Sequence, residues 1–169
     1  MTDTPDLPPL PSPERLQALL FDAARGGRDD VIPALLQAGV DIEARDSRGF
    51  TALVLASYND RLSTTALLLD AGAAPNGTGE DRVNTALMGV AFKGYADIAR
   101  LLLDRGADVN RTNSVGQTAL MMAALFGHRT IVDLLIDRGA DIDATDASGN
   151  TARTVALAQG NAAMAERLE

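Results

Sequence analysis

His128 is the only histidine in the chain, and there is no cysteine. Disulfides, thiolate metal sites and cysteine nucleophiles are therefore excluded, and His128 has no second imidazole with which to build a zinc site. Serines and aspartates could join it in a hydrolytic triad on paper, but no serine lies in the sharp G-x-S-x-G setting that exposes a nucleophile. The run Gly77-Thr78-Gly79-Glu80-Asp81-Arg82 is glycine-rich, yet it lacks the lysine of a phosphate-binding loop and follows no buried strand. The carboxylates at Asp41, Glu43, Asp108, Asp141 and Asp143 fall short of the oxygen spacing of a calcium loop and read as a solvated edge. Catalytic, cofactor and metal sites are thus all expected to be none.

The elements that carry these residues repeat. Glycines close four segments at Gly39, Gly72, Gly106 and Gly139, at spacings of 33, 34 and 33. Threonines open four segments at Thr51, Thr85, Thr118 and Thr151, at spacings of 34, 33 and 33. Both series place one extra residue between Gly72 and Thr85. After each threonine a short apolar run is predicted to form a helix with the hydroxyl as N-cap, ending near Asp60, Gly94 or Gly127. A second helix follows with a tight apolar stripe, such as Ile131-Val132-Leu134-Leu135, and about a dozen polar residues then form a turn or β-hairpin. Neither two-turn helix is stable alone, so neighbouring units must stack.

The 33-residue period, the T-x-L helix starts, Gly127-His128 and the GADVN run at Gly106–Asn110 resemble the ankyrin repeat family. The resemblance covers Glu14 to the C-terminus and implies an all-α solenoid of five helix-turn-helix units joined by β-hairpin-like loops. The expected divisions are a flexible proline-rich leader over 1–13 and an ankyrin repeat domain over 14–169. Its approximate units are 14–45, 46–79, 80–112, 113–145 and 146–169, the first and last serving as caps. Ser12 and Pro13 are expected to start the first helix. In the last unit Arg153 and Arg167 replace core leucines, as suits a face that meets water. The family's proline after threonine is alanine here, and its next histidine is Val54, Met88, Met121 or Thr154. The resemblance therefore implies a weaker hydrogen-bond network at that corner, with packing in its place. It also implies that His128 bonds a neighbouring loop.

The resemblance further implies that a partner is held by the ends of the first helices and by the hairpin tips. At one such position the chain carries Arg25, Tyr58, Phe92, Leu125 and Ala158, and one step later Gly26, Asn59, Lys93, Phe126 and Gln159. Phe50 precedes Thr51 near the same groove, and Arg48 and Arg82 stand at neighbouring tips. The candidate partner-binding set is Arg48, Phe50, Tyr58, Arg82, Phe92, Lys93, Leu125 and Phe126. Aromatic residues grouped on a surface suit a binding hot spot; packing between adjacent first helices is the competing reading for Phe92 and Leu125.

The expected function is a non-enzymatic module that binds an unidentified partner protein through its concave face. Self-association through the same row is the alternative, and an enzyme or small-ligand protein the lesser one. A formal charge of −8 repels phosphate backbones, so no nucleic acid is expected. No apolar run approaches a membrane span, and the N-terminus lacks a signal-peptide core, so no membrane is expected and the cytoplasm is the default. The polar last unit argues for a monomer. Abundant alanine, and arginine nearly everywhere in place of lysine, point to a GC-rich bacterial genome.

Overall fold

The computed structural model describes residues 11–78 and 83–169. The bulk of the expected leader, residues 1–10, lies outside them. Ser12 takes an extended conformation and its hydroxyl accepts the Arg15 N–H, starting α1 (Pro13–Gly26) with proline at the first position. α2 (Ile32–Gln37) follows; Pro33 falls in its first turn, where its missing N–H leaves no bond unmade.

The next helices come in pairs. They are α3 (Ala52–Tyr58) and α4 (Leu62–Asp70), α5 (Ala86–Lys93) and α6 (Ala96–Asp104), α7 (Ala119–Leu125) and α8 (Arg129–Asp137), and α9 (Ala152–Ala158) and α10 (Ala162–Glu166). Thr51, Thr85, Thr118 and Thr151 are extended at the first helix of each pair, and each hydroxyl accepts the N–H three residues on. That bond satisfies a donor the helix start leaves open. The first helices stop at a left-handed residue: Gly94 at φ 86° and Gly127 at φ 72°, with Asp60 adopting φ 59° at the matching place.

Among the described residues no strand is assigned. The loops turn on hairpin-like bonds, from the N–H of Asp46 to the carbonyl of Phe50 (2.9 Å), Asn113 to Gln117 (3.1 Å) and Asp146 to Asn150 (2.9 Å). At each loop the side-chain oxygen of the same Asp or Asn caps the turn from inside, accepting further backbone N–H groups.

The first helices bury small residues, among them Ala52, Ala56, Ala86, Ala91, Ala119 and Ala123. The second helices bury larger ones, with Leu68, Leu102 and Leu135 fully enclosed at one repeating position. Small residues let the first helices approach closely, and neighbours α3, α5 and α7 pack more densely than α4, α6 and α8 do. The stack therefore curves with the first helices and loops on its inner side. Met88 and Met121, at the corner where the family's histidine would stand, are buried, so packing does take over there.

Side chains stitch units together in register. Asn76 donates to the carbonyl of Gly106 (3.1 Å) and accepts the N–H of Asp108 (2.7 Å), and Asn110 does the same to Gly139 (3.1 Å) and Asp141 (2.8 Å). On the second helices Arg105 pairs with Asp70, and Arg138 with Asp104 at 2.7 Å. Arg153 and Arg167 are both partly exposed, as a water-facing position requires, but neither points freely outward. Arg153 pairs with Glu169 (2.9 Å), and Arg167 holds Asp133 with two guanidinium nitrogens.

Candidate functional site

Tyr58 ends α3, Phe92 lies one residue before the end of α5, and Phe126 follows α7 as its C-cap. Tyr58 and Phe92 hold equivalent repeat positions and Phe126 stands one residue further on, and the three rings meet in a row. Tyr58 and Phe92 stack with centroids 6.3 Å apart, and Phe92 meets Phe126 edge-on at 4.5 Å. Such pairs stabilise one another by about 0.5–1.5 kcal/mol beyond area burial. The rings remain 41%, 39% and 48% exposed. Phe92 thus does both things expected of it, packing between first helices and presenting a face to solvent.

Lys93 places its ammonium 5.1 Å from the Tyr58 centroid and 5.9 Å from that of Tyr95. Arg48 lies over Phe50 at 5.4 Å. Phe50 is half-buried against the core, and Leu125 is half-buried at the end of α7. Arg82 lies outside the described residues.

Between the loop and the first helices is a hollow of about 240 Å³, lined by Arg48, Phe50, Val54, Tyr58, Asn84 and Gly89 among others. Gly89 explains it. The same place in the other first helices holds Leu55, Met122 or Val155, whereas unit three has no side chain there. A Cβ built on Gly89 would come within 3.2 Å of Tyr58 Cδ2. The glycine leaves room for the Tyr58 ring to lean over α5, at a cost to the helix of about 0.5–1 kcal/mol relative to alanine.

Beside the hollow, Asp46 anchors the loop. Its carboxylate accepts the N–H groups of Arg48 (2.9 Å) and Phe50 (3.0 Å) and pairs with Arg25 at 2.6 Å. Burial pushes this carboxyl up, but the Phe50 and Arg48 N–H groups and the Arg25 guanidinium outweigh it and hold it below the ordinary aspartate range.

His128 ties its unit to the preceding one as the G-H pair implies, but the acceptor lies in the last turn of α5 and not in a loop. Its Nε2–H donates to the carbonyl of Phe92 at 3.0 Å, and its ring stacks on Phe126 at 6.3 Å. Arg61 occupies the same place one pair of units earlier, with Nε donating to the carbonyl of Arg25 at 3.1 Å. That role was recognisable only by counting repeats, since an arginine there resembles nothing. The Asn76 and Asn110 clasps and the empty position at Gly89 also stand at repeat spacing, but no local motif marks them. Among the described residues no group of three or more potential ligands is gathered for a metal, and no helix is long and apolar enough to cross a membrane.

The chain is similar to several repeat proteins. It is 41% identical over 95 residues to the ankyrin repeat domain-containing protein SAT10 of Stachybotrys chartarum, covering 56% of this chain and 5% of that one. It is 38% identical over 92 residues to an ankyrin repeat-containing protein of Treponema pallidum, covering 54% and 31%. To the mitochondrial disaggregase of Bos taurus it is 33% identical over 142 residues, covering 63% and 21%. The chain thus spans at most 31% of these relatives' own lengths. The family model described as ankyrin repeats (3 copies) matches residues 20–113 and again 87–168. Period, helix pairing, caps and family match agree: the chain belongs to the ankyrin repeat family.

Proposed function

We propose that the chain is a non-enzymatic module that holds a partner protein across its concave face, acting as a cytoplasmic monomer. Ankyrin repeats are in general protein–protein interaction modules. The observation that carries this reading is the contact row of Tyr58, Phe92 and Phe126, three exposed rings from successive units. The rings are already fixed against one another, so a partner orders little on binding them. Phe50 and Leu125 extend the apolar surface, and Arg48, Arg82 and Lys93 orient the partner by charge.

The test is capture from native lysate on the immobilised protein, read by mass spectrometry. Tyr58→Ala with Phe92→Ala is expected to abolish capture while the thermal midpoint moves by only a few degrees. A partner captured equally by both proteins overturns the assignment. A mass that grows with concentration in light scattering overturns the monomer.

A further inference from the structure

We propose that the hollow over Gly89 is an anchor slot for one large apolar side chain of an acidic partner segment, with Arg48 and Lys93 receiving the flanking carboxylates. This rests on the concave-face reading and names the partner's chemistry.

Size points to a single side chain. Drug-sized ligands occupy roughly 300–1,000 Å³, and this hollow holds about 240 Å³. Its walls are Phe50, Val54 and the Tyr58 ring, and its floor is the one first-helix position among Leu55, Gly89, Met122 and Val155 that has no side chain. The glycine lets the Tyr58 ring lean over α5, and the hollow lies beside that ring, where the exposed aromatics begin.

Charge gives the rest. The chain carries −8, and Arg25, Arg28, Arg105, Arg138, Arg153 and Arg167 each sit on a carboxylate. Arg48 and Lys93 are exposed and lie against aromatic rings, and neither pairs with a carboxylate among the described residues. Arg48 lies over Phe50 and Lys93 beside the Tyr58 ring, so each of these two walls of the slot carries a cation. A segment with Asp or Glu near its anchor complements both.

The experiment selects a phage-displayed library of random linear dodecapeptides on the immobilised protein, then measures recovered peptides against three variants. Recovered peptides are expected to carry a large apolar residue with Asp or Glu close by, and to lose affinity as salt rises. Gly89→Met, which places in unit three the side chain of Met122, should weaken them about tenfold or more; its Cβ meets Tyr58 Cδ2 at 3.2 Å, so the ring must give way, and a retained cooperative unfolding transition shows that the fold survives. Arg48→Glu with Lys93→Glu, surface changes that leave the core untouched, should weaken them likewise. Recovery of basic peptides, of none, or of peptides that bind Gly89→Met as tightly as the parent overturns the slot. Tyr58→Ala with Phe92→Ala separates the two readings. Binders lost only on that variant leave the concave face standing without the slot, and binders lost on none remove both.

Discussion

The Nε2–H of His128 donates to the carbonyl oxygen of Phe92 at 3.0 Å, so the residue that precedes α8 closes the end of α5 one unit back. The bond fixes the tautomer, because a carbonyl can only accept. It also ties the last turn of one first helix to the next unit, directly beneath the ring row.

Removing that tie should be measurable. His128→Ala is expected to lower the unfolding free energy by about 1 kcal/mol, the usual net value of one hydrogen bond, in urea titration. His128→Arg is expected to recover most of it, since Arg61 already makes this bond to Arg25 at 3.1 Å. A histidine contributing only bulk would show no such recovery.

Gly94 is bound to the same joint. Its φ of 86° is left-handed, and a Cβ there would lie 2.7 Å from His128 Cε1. Gly94→Ala should therefore cost more than the roughly 1–2 kcal/mol of the backbone conformation alone. In a His128→Ala background the excess should vanish. Additive effects in that double-mutant cycle would show that ring and glycine do not collide.

Leu102 is fully buried at the position shared with Leu68 and Leu135. Leu102→Ala should cost about 2–5 kcal/mol through lost burial and the cavity left behind. Val115, 48% exposed on a loop, serves as the contrast: Val115→Ala should change stability by less than about 0.5 kcal/mol. Calorimetry of both variants checks the pair.

Asp46 predicts an acid-side effect. Its folded pKa lies below the unfolded value, so its charge stabilises the fold above the ordinary aspartate pKa. That contribution is lost as pH falls through the lower, folded value. Asp46→Asn retains an oxygen that can accept the Arg48 and Phe50 N–H groups, as Asn113 does for Val115 and Gln117. The Tm gap between parent and Asp46→Asn should thus be largest near neutrality and shrink below about pH 4. A constant gap across that range would assign the effect to packing.

The local devices were legible in the sequence. A threonine cap, a serine before proline and a glycine that stops a helix each act within a few residues, so the four threonine starts and the Ser12 start could be read directly. The Tyr58–Phe92 pair was legible because repetition turns sequence spacing into spatial alignment; Phe126 joins it from the next position, as the C-cap of α7. Contacts between units were harder. Arg61 and His128 do one job with different chemistry, and the Asn76 and Asn110 clasps depend on loops thirty residues away. The hollow was hidden for another reason: it arises from an absent side chain at Gly89 and from the lean of Tyr58, and neither alone marks a cavity.

The alanine-lined inner seam has a mechanical consequence. The first helices are pressed together by small residues, while the second helices behind them meet more loosely. Strain applied to the arc is taken up where contact is sparse, so the outer row fans and the inner row acts as a stiff spine. The three rings are mounted on that spine. Their pitch is a fixed gauge, and on the proposed function a guest with a different stride must adjust its own backbone to fit.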